Sequence, residues 1–379
     1  MNLDRAMARA WAEIDEDALI SNYRLAVSLC RRETAVMAVV KGNAYGLGLR
    51  RTVETLREAG ARWFAAAAPE EALLARGAAP DAQILLLCPA PESYLPLLIR
   101  RGIVLTVGSL RDAQAASRAA EAGGAIARAH VKVDTGLHRL GFGEAEEALK
   151  IRAVPHISWE GLYSHLALRS DRQSAAQHQR FTALAEALER GGLHLPMRHL
   201  LDSIGLTRYP DWQMQGVRVG AFLYGNLPPD WPRFAEGKAV AAFRCRVLRV
   251  FPVRAGEAVG YGDAPLQRDC LAATLSAGYM DGYPRSLSGV GQVCVHGQRA
   301  PVLGLVCMDQ MMIDVTAAPD TRPGDTVTLL GDGISLGEYA SWGGLGRNEC
   351  LGALTPRVPR IYCRQGKPVH IEADMDGGG

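Results

Sequence analysis

The chain reads as an α/β protein: a (β/α)8 TIM-like barrel followed by a mainly antiparallel β domain. Three observations predict this. Short apolar runs alternate with Ala- and Glu-rich stretches whose apolar residues recur at three and four positions, the pattern of strand and amphipathic helix in turn. Eight such units fill roughly 220 residues, the number and spacing of a barrel. After about residue 235 helical periodicity nearly disappears, and short alternating runs separated by turns replace it.

The eight runs are AVMAVV, RWFAAAA, QILLLC, IVLTV, AHVKVD, ISWEGLYSH, MRHLLDS and GVRVGAFLYG. Between them PEEALLARGA, LRDAQAASRAAEAG and QHQRFTALAEALERGG read as helices with Gly stops. A doubly wound open sheet is the alternative arrangement of the same units. Downstream, KAVAAFRCRVLRVFPVRAGEAVGYG, CLAATLSAGYM, GQVCVHGQRAPVLGLVCM and TVTLLGDGISL carry the turns RAGE, HGQR and RPGD and read as antiparallel strands. WAEID, near residue 11, precedes the first barrel strand and is expected to pair with the second domain. The expected division is therefore 1–15 for this N-terminal strand, 16–235 for the barrel and 236–379 for the β domain, with a disordered DMDGGG tail.

At 379 residues with 48% hydrophobic content, the chain can fill two substantial cores. Lys and Arg number 42 against 40 Asp and Glu, so a net charge of +2 makes no electrostatic case for nucleic acid or a membrane surface. A small polar partner is the expectation. The N-terminus has no apolar segment of signal-peptide form, and no stretch approaches the roughly 20 apolar residues of a membrane span. Eight scattered cysteines, without a CxxC pair or metal-ligand spacing, suit reduced thiols in the cytoplasm. His194 and His199, five apart across a proline, share no helix face and are expected to be surface residues, not metal ligands.

In such a barrel, chemistry belongs at the carboxyl ends of the strands. Lys41 stands where the first apolar run stops. Lys132, Asp134 and Arg139 follow strand five, His165 strand six, Asp202 and Ser203 strand seven, and Arg218 lies on strand eight. Each alone has an ordinary reading as a solvated boundary or helix cap; together they make one end of the barrel polar. An amine among basic residues suits Schiff-base chemistry with a carbonyl, because a neighbouring cation or desolvation lowers its pKa. The following GNAYGLG supplies glycines for a tight turn but is not a P-loop. Phosphate is expected at backbone N–H groups near Ser203 and Gly220–Ala221.

VVKGNAYGLG, VKVDTGLHRLGFG, GLYSHLA, GVRVGAFLYG, AVGYGDAP, AGYMDGYPR, CMDQMMIDV and PRVPRIY, in this order, closely resemble the alanine racemase family over almost the whole chain. The resemblance implies an isomerase that interconverts L- and D-alanine with pyridoxal 5′-phosphate (PLP), supplies D-alanine for peptidoglycan and works as a homodimer with shared active sites. It implies that Lys41 carries the cofactor and is one catalytic base, and that Tyr261 of the other subunit is the opposing base. Two bases on two faces of one carbon are what racemisation needs. Tyr45 and Ser203 then match phosphate ligands, His165 lies beneath the pyridine ring, and Arg218 bonds the pyridine nitrogen. Arg139 matches the residue that orients the cofactor hydroxyl and the substrate carboxylate, and Lys132 a position often carbamylated. Tyr279, Met308 and Asp309 match residues lining the substrate entrance from the partner. Met311 and Met312 read as core.

Three departures from the pattern stand out. Pro356 occupies a place where tyrosine is common before RVPR, Asp202 stands where asparagine is common, and KGNAYG replaces KANAYG. Pro356 keeps open a serine or serine/alanine racemase with the same machinery. A decarboxylase of the same architecture lacks its cysteine-aspartate motif here. A non-enzymatic PLP carrier would need Lys41 but neither Tyr261 nor the β domain.

Overall fold

The computed structural model describes residues 1–226, 228, 233 and 235–373. Its first strand, β1 (Ala10–Asp15), does not enter the barrel. The barrel is β2 (Ala35–Val39), β3 (Trp63–Ala66), β4 (Gln83–Leu86), β5 (Val104–Val107), β6 (Ala127–Lys132), β7 (Ile157–Tyr163), β8 (Met197–Asp202) and β9 (Gly216–Val219), closed by parallel pairing of β9 with β2. Closure, not an open sheet, follows the eight apolar runs. Met37, Val39, Ala65, Leu85 and Val104 pack inside the ring, while the alternate residues face the surrounding helices.

The helices form where periodicity and caps agree. Ser109 accepts from Asp112 N to start Leu110–Ala122, and Ser170 from Gln173 N to start Asp171–Arg190. Glycines 123 and 191 follow their last turns.

The remaining strands are β10 (Ala241–Val253), β11 (Cys270–Leu275), β12 (Gln292–Val295), β13 (Gln298–Leu303), β14 (Met311–Asp314), β15 (Thr326–Leu330), β16 (Arg360–Arg364) and β17 (Lys367–Glu372). With β1 they form a nine-stranded sheet in the order β11-β14-β13-β12-β15-β10-β1-β16-β17, and β11 also pairs β10. β1 runs antiparallel to β10 and parallel to β16. Met311 and Met312 lie in β14, both buried. The sheet is tied to the barrel by buried Glu16, which pairs with Arg51 (2.5 Å) and Arg364 (2.8 Å). Asn22 adds a second tie, bonding both main-chain groups of Lys238. Among the described residues no helix is long and apolar enough to cross a membrane, and no cluster of His, Cys, Asp or Glu is arranged to hold a metal ion. The DMDGGG tail lies outside the described residues.

Candidate active site

A cavity of about 770 Å³ opens at the carboxyl ends of the barrel strands. It is lined by Lys41, Tyr45, Lys132, Arg139, His165, Ser203, Arg218, Gly220 and Ala221, so the structure brings together every barrel residue singled out above as a cofactor contact. Its size is that of a site for a small cofactor with substrate.

Lys41 stands two residues past the end of β2, where the apolar run can no longer be buried. The turn after it is left-handed: Gly42, Asn43, Ala44 and Tyr45 have φ of 63°, 52°, 54° and 56°. Three of the four are not glycine, and each costs about 1–2 kcal/mol in this conformation. Local bonds compensate in part. Asn43 accepts from Leu49 N (2.8 Å), and Glu71 accepts from Asn43 N (3.1 Å). The turn delivers Tyr45 into the cavity, stacked on Tyr224 with ring centroids 4.6 Å apart. Burial pushes the Tyr45 phenol up to about 12, so it stays a hydrogen-bond donor. A Cβ at Gly220 would sit 2.5 Å from its hydroxyl, so only glycine permits this approach. The Gly220 N–H donates to Ser203 Oγ (3.1 Å), which frees the serine hydroxyl hydrogen for another acceptor.

Arg218, 5% exposed, projects from β9 into the barrel. Nη1 donates to His199 Nδ1 (2.6 Å) and His199 O (3.0 Å), and Nη2 to Ser164 O (2.6 Å) and Leu200 O (3.0 Å). Nη2 also lies 3.4 Å from His165 Nδ1. Among the described residues its Nε–H has no acceptor. His199 is therefore not a surface residue, a correction to the sequence expectation. It is fully buried beneath Arg218, and its Nε2 meets His130 Nδ1 at 2.9 Å. Alternation along β8 turns it into the barrel, where a polar residue persists only with partners. His194, in contrast, is exposed against Glu189 (2.7 Å). Because Arg218 only donates, His199 Nδ1 must accept, so Nε2–H donates to His130. His165 is pushed down to about 3 by burial, then by Arg218 and Lys132, and is neutral at working pH.

Lys132, also 5% exposed, places its ammonium 4.4 Å from the Tyr163 ring centroid. Burial, then Arg218 and Arg139, lower it to about 7. Asp202 caps the next helix through Gly205 N (2.9 Å), and its other oxygen lies 4.0 Å from His165 Nε2. The cavity also takes Cys88, Asn226, Arg347 and Asn348, which the sequence reading missed. Arg347 and Asn348 come from the C-terminal domain, and no local pattern marks them.

The remaining predicted residues do not reach this cavity within the chain. Tyr261 is 80% exposed and Met308 50% exposed. Tyr279 N donates to Cys307 O and Met280 N to Met308 O, both at 3.0 Å, which sets residues 279–280 beside 307–308. Asp309 is paired with Arg357 (2.8 Å), itself 3.2 Å from buried Asp281. Pro356 is exposed and outside the cavity lining.

Residues 14–228 match the family model for the alanine racemase N-terminal domain, and residues 240–362 that for its C-terminal domain. An alanine racemase from Desulfosudis oleivorans is 36% identical over 377 residues, covering 93% of this chain and 96% of that one. An alanine racemase from Bacillus anthracis, solved with bound L-Ala-P, is similar with a TM-score of 0.90 at 30% identity, covering 97% of this chain and 98% of that one. One from Bartonella henselae, solved with covalently bound pyridoxal phosphate, gives 0.85 at 30%, covering 94% and 100%. Two domain models in tandem, and likeness over nearly the whole length in sequence and fold, establish that the chain belongs to the alanine racemase family.

Proposed function

We propose that the chain is a PLP-dependent alanine racemase, acting in the cytoplasm as a homodimer and supplying D-alanine for peptidoglycan. One observation carries the reading: an amine, Lys41, and a buried arginine, Arg218, line a single cavity together with the adjoining Tyr45, Ser203 and Gly220. These residues fit the cofactor. Lys41 would supply the nucleophile for its carbonyl carbon, Arg218 Nε–H a donor for its ring nitrogen, and the Tyr45 and Ser203 hydroxyls donors for its phosphate. Bound there, PLP would supply delocalisation of the charge left when a proton departs the substrate α-carbon.

The chain's own groups do the rest. Lys41 Nζ takes or returns the α-proton on one face. Tyr261 of the partner subunit does so on the other, consistent with its exposure in the single chain. Arg218 cannot give up its proton, so beside the ring nitrogen it would disfavour protonation there. Its clamp to His199 and the carbonyls of Ser164 and Leu200 fixes that contact. Arg139, exposed at the cavity mouth, is a bidentate partner for the substrate carboxylate. Lys132 is partly neutral near pH 7, so its nitrogen can attack carbon dioxide and lose a proton; the resulting carbamate anion would hold Arg139. Tyr279, Met308 and Asp309 line the entrance to the partner's cavity. The division into 1–15, 16–235 and 236–379 belongs to this reading, supported by the place of β1 in the nine-stranded sheet.

The test is direct. Purified protein is yellow, and Lys41→Ala loses both the visible absorbance band of bound cofactor and alanine racemisation. A fully active, cofactor-free Lys41→Ala protein overturns the reading.

A further inference from the structure

The left-handed turn after Lys41 is not held by the barrel alone. β16, from the C-terminal domain, runs beside it and presents two side chains to its carbonyls. Arg360, 1% exposed, donates from Nε (3.1 Å) and Nη2 (3.0 Å) to Gly46 O. Its other bonds go to Thr355 O (3.1 Å), Val358 O (3.0 Å) and Leu354 O (3.0 Å), so a buried guanidinium is balanced among the described residues by carbonyl dipoles and not by a carboxylate. Two residues on, Tyr362 Oη lies 2.8 Å from Leu47 O and 3.2 Å from Glu372 Oε2, and its single hydrogen goes to the nearer acceptor, Leu47 O. The approach is close enough to dictate glycine: a Cβ at Gly46 would meet Leu351 O at 2.2 Å, and one at Gly48 would meet Tyr362 Oη at 1.8 Å.

We propose that Arg360 and Tyr362 are positioning residues for the cofactor site, holding the strained turn of residues 42–47 and thereby setting the directions of Lys41 and Tyr45. The argument is one of over-determination. A run of left-handed residues that are mostly not glycine relaxes unless its surroundings pin it. Lys41 Nζ and Tyr45 Oη stand at the two ends of that run, so any relaxation moves one against the other. The N–H groups of Gly46, Leu47 and Gly48 bond back into the turn, and the bonds to the Gly46 and Leu47 carbonyls add the tie from outside it. The same chain's β domain then shapes the barrel's cofactor site, in addition to whatever it offers a partner. This inference rests on the reading of Lys41 as the cofactor amine and Tyr45 as a phosphate contact.

The experiment uses full-length holoenzyme. Cofactor retention is followed by visible absorbance over a dilution series in defined PLP, and hydrogen exchange is measured for the amides of residues 42–48. Tyr362→Phe removes one hydroxyl without changing shape and is expected to weaken PLP binding about 5-fold, the effect of one net hydrogen bond. Arg360→Lys loses the fork to Gly46 and is expected to weaken it more. Both should speed exchange at 42–48. Arg364→Gln serves as control: it breaks the pairs with Glu16 and Glu58 at the same seam without touching the turn, and should lower Tm while leaving PLP retention and turn exchange as in wild type. Wild-type retention and exchange in Tyr362→Phe, or an equal loss of retention in Arg364→Gln, overturns the proposal. If Arg360→Lys does not fold, Tyr362→Phe decides alone. Lys41→Ala is run in parallel: retention there sinks the reading of Lys41 itself, whereas loss there beside unaffected Arg360 and Tyr362 variants sinks only the positioning role.

Discussion

The barrel mouth and the β-domain residues proposed for the partner's site are built in opposite ways. At the mouth, Arg218 and Lys132 are each 5% exposed and enclosed by carbonyls, imidazoles and a ring face. On the β domain, Tyr261 is 80% exposed and Met308 50% exposed, and neither touches the cavity of its own chain. The cavity is thus lined by groups of one chain, whereas Tyr261, the residue proposed above as the partner site's proton-transfer group, stands in the open. Preorganised groups are expensive to bury and must be satisfied locally; groups that meet substrate across an interface stay exposed until the interface forms.

The sharpest way to break this comparison is complementation. Tyr261→Ala should lower racemisation by about 10²–10⁴-fold, the range for loss of a proton-transfer group, while leaving PLP bound. Mixing it with Lys41→Ala under subunit exchange should restore activity, because some mixed dimers regain one intact site. No recovery despite demonstrated exchange would mean that each site is built within a single chain.

A smaller effect tests the buried half. His199→Leu leaves Arg218 Nη1 without its 2.6 Å acceptor and His130 Nδ1 without its donor. Unsatisfied buried groups of this kind cost about 1–3 kcal/mol, so denaturant unfolding should shift by that amount with kcat reduced. Unchanged stability would show that the imidazole pair does not hold the arginine.

Lys132 gives a pH signature in carbon-dioxide-free buffer. Its folded value of about 7 lies below the ordinary 10.5, so between these values the unfolded chain binds more protons. Stability therefore rises with pH across that window, and below about pH 7 the folded protein bears the full cost of the buried charge. The Tm difference between wild type and Lys132→Met should grow in favour of wild type from pH 7 to pH 10. A difference that stays flat would remove the depressed amine.

The smallest expected effect is at Pro356. Because it is exposed and outside the cavity of its own chain, Pro356→Tyr should raise the alanine-to-serine ratio of kcat/KM by no more than about 10-fold, well within what a pocket gains against an added hydroxyl. A ratio that falls or stays unchanged frees position 356 from any part in side-chain selection.

Much of the site was legible in the chain because the relevant signals are local. An apolar run that ends in Lys41, and polar residues at the ends of β6 to β9, place Lys132, His165, Ser203 and Arg218 at one end of the barrel from alternation and strand order alone. The same pattern misread His199, since a polar residue on an inward position looks like a surface residue until its partners His130 and Arg218 are known. The ion pair of Asp309 with Arg357, 48 residues away, likewise has no local signal.

The sequence by itself determined the barrel, the β domain and the residues that crowd the strand ends, because periods of two and 3.6 report which face of each element is buried. Only the tertiary structure decided the hand of the turn after Lys41, the clamp from Arg360 to Gly46 across 314 residues and the exposure of Tyr261. The physical reason is range: periodicity encodes a residue's local face, whereas strain, buried-charge balance and shared sites depend on partners that chain order does not place side by side.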